Sequence, residues 1–257
     1  MLIDTHVHLN HPELYQKIDE VINDAIMNNV NKFFVVGYDV DTSKQAVEIA
    51  NNYDNCYAIV GFHPTEIKDY TDKEYILLES LLTNKKVVAL GEIGFDFHWD
   101  VTSKEEQMNA FVRQIKLAIK YKLPLSIHSR DALQLTYDTL KEYSANLVGG
   151  VMHSYSGSSE MAKEFVKLGF KLGISGPVTF KNGRTMKEVV EKIDLKYLLT
   201  ETDSPYLTPH PYRGKENGPK YIPLIASTIA SIKGISLEEV EKRIEENVKE
   251  LFGVWKK

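Results

Sequence analysis

Short apolar runs rich in β-branched and aromatic residues recur eight times along the chain, and longer segments with polar residues separate them. Runs of this length and composition predict buried β-strands, and each gap is long enough for a helix. The predicted strands cover residues 2–7, 33–37, 57–61, 87–91, 125–128, 149–153, 170–174 and 197–200.

Two of the intervening segments show clear helical spacing. Thr102-x-x-Glu105 and Ser103-x-x-Glu106 are alternative capping boxes for the first helix, which Pro124 should end before the next strand. Its apolar positions form one stripe with a period near 3.6 residues: Met108, Phe111, Val112, Ile115, Ala118 and Ile119. A last amphipathic helix is expected from a capping box at Ser236, with Val240, Ile244, Val248 and Leu251 on its apolar face.

Eight strands alternating with helices predict an α/β protein with parallel strands and right-handed crossovers. The length of 257 residues suits one closed (β/α)8 barrel, a TIM barrel, so we expect a single domain over residues 1–257. No Gly-x-Gly-x-x-Gly follows the first strand, which argues against a dinucleotide-binding fold. The Pro- and Gly-rich stretch 208–223 is interpreted as a functional loop over the barrel mouth.

Composition narrows the classes of function. A formal net charge of −5 argues against tight binding of a nucleic-acid duplex, but not against an enzyme that holds one strand end. The single cysteine, Cys56, excludes an internal disulfide and suits a reducing, cytoplasmic location. The N-terminus does not look like a secretory signal, and no long apolar run predicts a membrane span. No obligate protein partner is evident.

Histidines and acids gather at the predicted strand ends. In a barrel, side chains at the carboxyl ends of the strands meet at one mouth, where the chemistry takes place. Five of the eight histidines fall at these positions, together with two acids: His6, His8, His63, Glu92, His128, His153 and Asp203. Chance placement would put more of them on helices, so we interpret the set as a metal centre.

The spacing of these residues has a geometric meaning. His6 and His8 are two apart on a strand, so both imidazoles face the same way, although such a pair alone is also common in structural roles. Glu92 stands between glycines and either occupies a tight turn or bridges two metals. Asp203 precedes Ser-Pro and is either a turn residue or a ligand that accepts a proton from the attacking water. Ligands of this kind suit zinc, manganese, iron or magnesium.

Four further residues are candidates for substrate contacts. Arg130, just after the fifth strand, and Arg213, in the long loop, are candidate phosphate ligands. Tyr155 and Tyr206 are candidates for stacking on a nucleobase. Taken alone, Arg130 is equally compatible with a solvated arginine at a helix start, and each tyrosine is more typical of ordinary packing.

The motifs together resemble those of the TatD-type deoxyribonucleases, which are metal-dependent hydrolases with an amidohydrolase-like TIM barrel. The resemblance runs over essentially the whole chain, in order. It is carried by MLIDTHVHLN at residues 1–10, GFHP at 61–64, GEIGFD at 91–96, HSR at 128–130, MHSYSG at 152–157 and ETDSPYL at 201–207.

This resemblance implies 3′→5′ exonuclease action on single-stranded DNA or another nucleotide phosphoester, through a water activated by two divalent metal ions. Mg²⁺ is the expected activator, with Zn²⁺ or Mn²⁺ as alternatives. The first metal would be held at positions matching His6, His8, Glu92 and Asp203, and the second at Glu92, His128 and His153. His63 would contact the phosphate or the leaving group. Glu92, Asp203 and His63 are therefore the expected catalytic residues.

Two other functions remain open at this point. A metal-dependent amidohydrolase acting on C–N bonds would use a similar barrel, but many such enzymes bridge their metals with a lysine, and this chain has Glu92 there. A non-catalytic module that binds metal or nucleic acid would not need a complete set of ligands. The complete set favours the phosphoesterase.

Overall fold

All eight apolar runs form strands in the computed structural model, which describes residues 1–254. The strands pair in chain order as one parallel sheet, as the alternation with helices predicts. They are Leu2–Val7 (β1), Val30–Val36 (β2), Cys56–Val60 (β3), Val87–Asp96 (β4), Leu125–Arg130 (β5), Gly150–Met152 (β6), Phe170–Ile174 (β7) and Leu198–Thr200 (β8).

The first and last strands meet through side-chain hydrogen bonds to the backbone. The Thr5 hydroxyl donates to the Thr200 carbonyl at 3.0 Å, and the Thr200 hydroxyl donates to the Ile3 carbonyl at 2.8 Å. Beyond β8, Val7 and Ser204 form a parallel bridge. These contacts bring the two ends of the sheet together, so the fold is a (β/α)8 barrel.

Helices follow the strands and pack around them. Of the two alternative capping boxes, the one at Ser103 forms: its side chain and that of Glu106 cap the start of the helix. The hydroxyl of Thr102 donates to the Pro64 carbonyl instead. Ser236 caps the last helix as predicted. None of the helices in residues 1–254 has the length and apolar character needed to cross a bilayer. The helices are Pro12–Tyr15 (α1), Ile18–Met27 (α2), Val40–Asn52 (α3), Asp72–Leu81 (α4), Lys104–Tyr121 (α5), Leu133–Tyr143 (α6), Ser159–Lys167 (α7), Arg184–Lys192 (α8), Ile222–Lys233 (α9) and Leu237–Phe252 (α10).

Strand β4 is longer than its apolar run. All ten of its residues are buried, and the pairing with β5 shifts register between Leu90 and Ile93. Glu92 therefore lies inside the strand and does not follow it. Gly94 makes this possible, because its φ is +141° and a Cβ there would lie 2.0 Å from the carbonyl oxygen of His128.

The stretch 208–223 does not cover the mouth. The Asn217 side-chain amide donates to the carbonyls of Thr202 and Tyr206, and Thr208 donates to Lys215, so the loop folds back on its own start. Of this connection, Tyr206 and Leu207 line the cavity at the mouth, and residues 208–223 do not. The prediction of a loop over the mouth is wrong for that range.

Candidate metal centre

Six predicted ligands meet at the carboxyl ends of the strands. β1 carries His6 and is followed at once by His8. The others come from across the barrel: Glu92 in β4, His128 in β5, His153 directly after β6 and Asp203 shortly after β8. Because the strands are parallel and staggered, residues far apart in the chain share one end of the barrel.

Glu92 stands at the centre of this cluster. Its Oε2 atom faces the pair from β1, 3.5 Å from Nε2 of His6 and 3.8 Å from Nε2 of His8. Its Oε1 atom faces a second group of imidazoles: Nδ1 of His128 at 2.9 Å, Nε2 of His153 at 3.7 Å and Nε2 of His63 at 3.9 Å. The two oxygens of one carboxylate thus face two different sets of nitrogen atoms.

Asp203 lies on the β1 side of the cluster. Its backbone N–H donates to the carbonyl of His6 at 3.0 Å, which places the side chain beside that strand. Its Oδ1 atom lies 3.4 Å from Nε2 of His8, 3.7 Å from Nε2 of His6 and 3.6 Å from Nε2 of His153. His153 therefore stands between Asp203 and Glu92.

The second nitrogen of most of these imidazoles is held by an outer partner. Nδ1 of His8 contacts the Val36 carbonyl at 3.0 Å, and Nδ1 of His63 contacts the Thr65 hydroxyl at 2.7 Å. Nδ1 of His153 lies 2.9 Å from Oε1 of Glu201, an ion-pair distance, although the two groups are not aligned for a hydrogen bond. Such contacts orient a ring so that its other nitrogen points at the ion. In His128 the two nitrogens exchange these roles. Its Nε2 atom has the outer partner, Oδ2 of Asp96 at 2.9 Å, and its Nδ1 atom faces the cluster.

Asp96 and Glu201 were not singled out from the sequence. Both are buried acids beside a predicted ligand: Asp96 is the last residue of β4, and Glu201 stands two positions before Asp203. The signal available was an acid at the end of a strand that already carries a ligand. Periodicity does not tell whether such an acid faces the ion or the back of a histidine.

The cluster has an excess of negative charge. Burial disfavours ionised Glu92, yet contacts with His153, His128 and His6 outweigh it and hold the pKa of that carboxyl well below its usual range. Burial likewise opposes charge on His153, but Glu201, Asp203 and Glu92 raise its pKa to about 10. These carboxylates strongly stabilise protons on the neighbouring imidazoles. A metal cation would be stabilised in the same way and would replace those protons.

His6 carries the clearest sign of an absent ligand. The side chain is buried, and neither ring nitrogen has a hydrogen-bond partner among the described residues. Burial, followed by the charge of His153, lowers its pKa, which keeps the ring neutral with a free lone pair. A buried imidazole is costly without a partner, and a metal ion would supply one. The donor set therefore fits divalent cations.

Three groups of side chains in the described part of the chain place one ligand atom each within 4.8 Å of one another. They are His6–His8–Asp203, His6–His153–Glu201 and His63–Glu92–His128. His63, expected at the phosphate, is thus also within reach of a metal. Its pKa is lowered to about 3 by burial and the nearby His128, so the ring is neutral near pH 7.

A cavity of about 640 Å³ opens above the cluster. Arg130 and Trp99 stand on one part of its wall, with the guanidinium 5.9 Å from the centre of the indole ring. Tyr206 also lines it, 54% exposed, with its ring 6.3 Å from that of His8. Trp99 is 55% exposed and was missed in the sequence, since a lone tryptophan between polar residues has no pattern that marks it.

Two predicted substrate contacts lie elsewhere. Tyr155 is 2% exposed, and its hydroxyl donates to the Ser158 carbonyl, so its ring is part of the core and is not free to stack on a base. Arg213 is exposed outside the cavity, with its guanidinium 4.7 Å from the centre of the Phe180 ring.

Comparison with known proteins shows the family to which the chain belongs. The family model described as TatD related DNase matches residues 3–253. A Bacillus subtilis protein named uncharacterized metal-dependent hydrolase YabD is 44% identical over 254 residues, covering 99% of this chain and all of that one. A Klebsiella pneumoniae protein named 3′-5′ ssDNA/RNA exonuclease TatD is 31% identical, covering 98% of each. The crystal structure of YjjV, a TatD homologue from Escherichia coli K12, superimposes with a TM-score of 0.94 at 30% identity, covering 98% of each chain.

Proposed function

This chain belongs to the family of TatD-related DNases, which are metal-dependent hydrolases, and from that premise we propose that it removes nucleotides from the 3′ end of single-stranded DNA. The reaction is hydrolysis of a phosphodiester bond. The name of the Klebsiella relative supports the polarity and the single-stranded substrate, and adds RNA as a second substrate to test.

The position of Glu92 carries this proposal. One carboxylate whose two oxygens face two sets of nitrogen atoms suits a bridge between two ions. We assign one ion to His6, His8, Glu92 and Asp203, and the other to Glu92, His128 and His153. When bound, two such ions, Mg²⁺ for activity or Mn²⁺ or Zn²⁺, polarise the phosphate and make a water molecule a better nucleophile.

Asp203 is assigned the proton of the attacking water. Burial would raise its pKa, but the charge of His153 and contacts with His8 and His6 lower it, so the carboxylate is ionised at neutral pH. Its side chain borders the cavity, within reach of a water molecule above the cluster. A carboxylate in this position acts as the general base.

His63 and Arg130 are assigned to the phosphate. The Thr65 backbone N–H donates to Nδ1 of His63 at 3.2 Å, an arrangement that leaves the proton on Nε2, the nitrogen that faces the cluster. A neutral Nε2–H group can donate to a phosphate or leaving-group oxygen. Arg130 lines the same cavity and supplies a charge-assisted hydrogen bond.

Aromatic residues on the cavity wall are assigned to the bases. Tyr206 was expected in this role, and Trp99 joins it because both are more than half exposed at the mouth. Base stacking on such rings tolerates any sequence. This suits an enzyme that shortens strands of arbitrary sequence, with a net charge of −5 overall and few cations at the site.

The test uses protein stripped of metal and refilled with Mg²⁺, Mn²⁺ or Zn²⁺, incubated with single-stranded DNA or RNA labelled at its 5′ end. Stepwise shortening that requires metal and is lost in Glu92→Gln supports the proposal. Glu105→Gln, an exposed site in the first turn of α5, is the matched control and should retain full activity.

The same preparation separates the rival functions. Hydrolysis of small cyclic amides, with nucleic acids left intact, would favour an amidohydrolase over a nuclease. Nucleotide binding without any product, with each metal confirmed on the protein, would indicate a binding module. We also propose a cytoplasmic location, supported by a single cysteine, which is buried.

A further inference from the structure

Asp96 contacts the ring nitrogen of His128 that points away from Glu92. Its Oδ2 atom lies 2.9 Å from Nε2 of His128, and the other ring nitrogen, Nδ1, lies 2.9 Å from Oε1 of Glu92. The ring is therefore held between two carboxylates. Glu92 belongs to the proposed metal centre, whereas Asp96 stands behind the imidazole.

The carboxylate of Asp96 is itself rigidly placed. The backbone N–H groups of His98 and Trp99 donate to Oδ1 at 2.9 and 3.3 Å. The Gln107 side chain accepts from the Asp96 N–H and donates to its carbonyl, each at 2.9 Å. Asp96 is 2% exposed. With Oδ1 occupied by two donors, Oδ2 is the oxygen left for the ring.

An ionised carboxylate only accepts hydrogen bonds, so the ring nitrogen that faces it must carry the proton. A carboxylate faces each nitrogen of His128, so both nitrogens carry a proton in the metal-free protein. An ion bound by Glu92 would take the place of the proton on Nδ1, whereas Nε2 would keep its proton against Asp96. The other held imidazoles, those of His8, His63 and His153, have the opposite arrangement, with Nδ1 outward and Nε2 towards the cluster. A ring turned this way needs an acceptor for its Nε2–H group, which points away from the cluster.

We propose that Asp96 is a positioning residue that fixes His128 as a metal ligand through Nδ1. This assignment rests on the proposed function only in taking His128 as a ligand. It also ties the metal centre to the cavity wall, because the same carboxylate that orients His128 binds the backbone of Trp99.

The first experiment observes the His128 ring directly in the wild-type protein. Protein labelled with ¹⁵N at histidine is loaded with Zn²⁺, and the ring nitrogens are recorded by NMR, with His128 assigned from the signals missing in His128→Gln. The expected result is a proton on Nε2 of His128 and none on Nδ1. A proton on Nδ1 in the Zn²⁺-loaded wild type would overturn the proposal.

The second experiment removes the charge. Metal-free Asp96→Asn is titrated with Zn²⁺ by calorimetry, after circular dichroism confirms the fold. Loss of an outer partner typically weakens metal binding about 10- to 100-fold, and here the loss should fall on one of two binding events. The matched control is Asp131→Asn, an exposed site with φ +55°, which asparagine tolerates. It should leave both affinities unchanged.

Unchanged Zn²⁺ affinity in Asp96→Asn, or an equal loss at both sites, would contradict the role of Asp96. Failure of the wild type to bind Zn²⁺ would overturn the metal centre with it. Neither experiment involves a substrate, so a protein with the expected tautomer and the site-specific loss but no nuclease activity would refute the proposed substrate alone.

Discussion

The buried carboxylate of Asp4 accepts two hydrogen bonds from Thr202, one from the backbone N–H at 2.9 Å and one from the hydroxyl at 2.5 Å. Asp4 lies two residues before His6, and Thr202 lies one residue before Asp203. The pair therefore sets the distance between two proposed ligands that come from opposite ends of the chain.

Thr202→Val should weaken both the fold and the metal centre. Valine keeps the shape but leaves Asp4 without one donor, which costs about 1–3 kcal/mol. Urea denaturation of metal-free protein should show this loss. Thr228→Val in α9, where the hydroxyl bonds only within its own helix, is the control and should change stability much less. Equal losses in both variants would contradict the special role of Thr202.

Metal should stabilise the native protein through Glu92. A ligand at 100 times its Kd adds about 2.7 kcal/mol to the free energy of unfolding. We expect Mn²⁺ to raise the melting temperature of EDTA-treated wild type and of Glu105→Gln, and to raise that of Glu92→Gln far less. Scanning calorimetry measures this, and identical shifts in all three proteins would refute the bridging role.

Arg130→Gln should raise the KM for an oligonucleotide about 10- to 100-fold, because one charge-assisted hydrogen bond contributes about 1.5–3 kcal/mol. The kcat should fall less than the KM rises. Arg243→Gln, which removes an ion pair with Glu246 on the outer helix α10, is the matched control. Steady-state kinetics at fixed ionic strength decide the matter, and a normal KM in Arg130→Gln would remove this residue from the site.

Trp99→Ala should also raise KM, since stacking of one base contributes about 1–3 kcal/mol. Trp99→Phe keeps a ring and should recover much of the affinity. Tyr15→Ala, an exposed aromatic residue of α1 outside the cavity, serves as control. If alanine and phenylalanine at position 99 behave like wild type, the bases lie elsewhere.

Cys56 should make stability depend on alkaline pH. Burial raises the pKa of its thiol from 9.0 to about 12. The folded state thus keeps a proton that the unfolded chain releases, so stability present below pH 9 is lost as pH rises towards 12. Between pH 9 and 11 the free energy of unfolding should fall by up to about 1.4 kcal/mol per pH unit more in wild type than in Cys56→Ala. If the free energy of unfolding falls equally with pH in wild type and in Cys56→Ala, Cys56 is not the cause.

The strands and the cluster of proposed ligands were predictable for the same reason. Each strand is a short apolar run between polar segments, and the ligands stand where those runs end, so one pattern located both. The exception is Glu92: β4 continues to Asp96, because Gly91 and Gly94 let the strand pass close to β5. Glycine has no side chain whose polarity would mark a strand.

Residues that work through contacts across the barrel left no such signal. Asp96 and Glu201 act on histidines 32 and 48 positions away in the chain, and only the barrel brings them together. Tyr155 looked like a residue of the mouth, yet the turn after His153 directs it into the core. Which way a side chain faces in a loop depends on packing that periodicity does not describe.

The hydrogen bonds that join β1 to β8 through the hydroxyls of Thr5 and Thr200 also mean that the barrel closes late in synthesis. β1 is made before the other seven strands, yet its partner β8 is made after all of them. A nascent chain that stops before residue 198 has every imidazole of the cluster but lacks Glu201 and Asp203. It also leaves the free edges of β1 and β7 as templates for pairing with other chains. Premature termination products of this protein are therefore expected to aggregate.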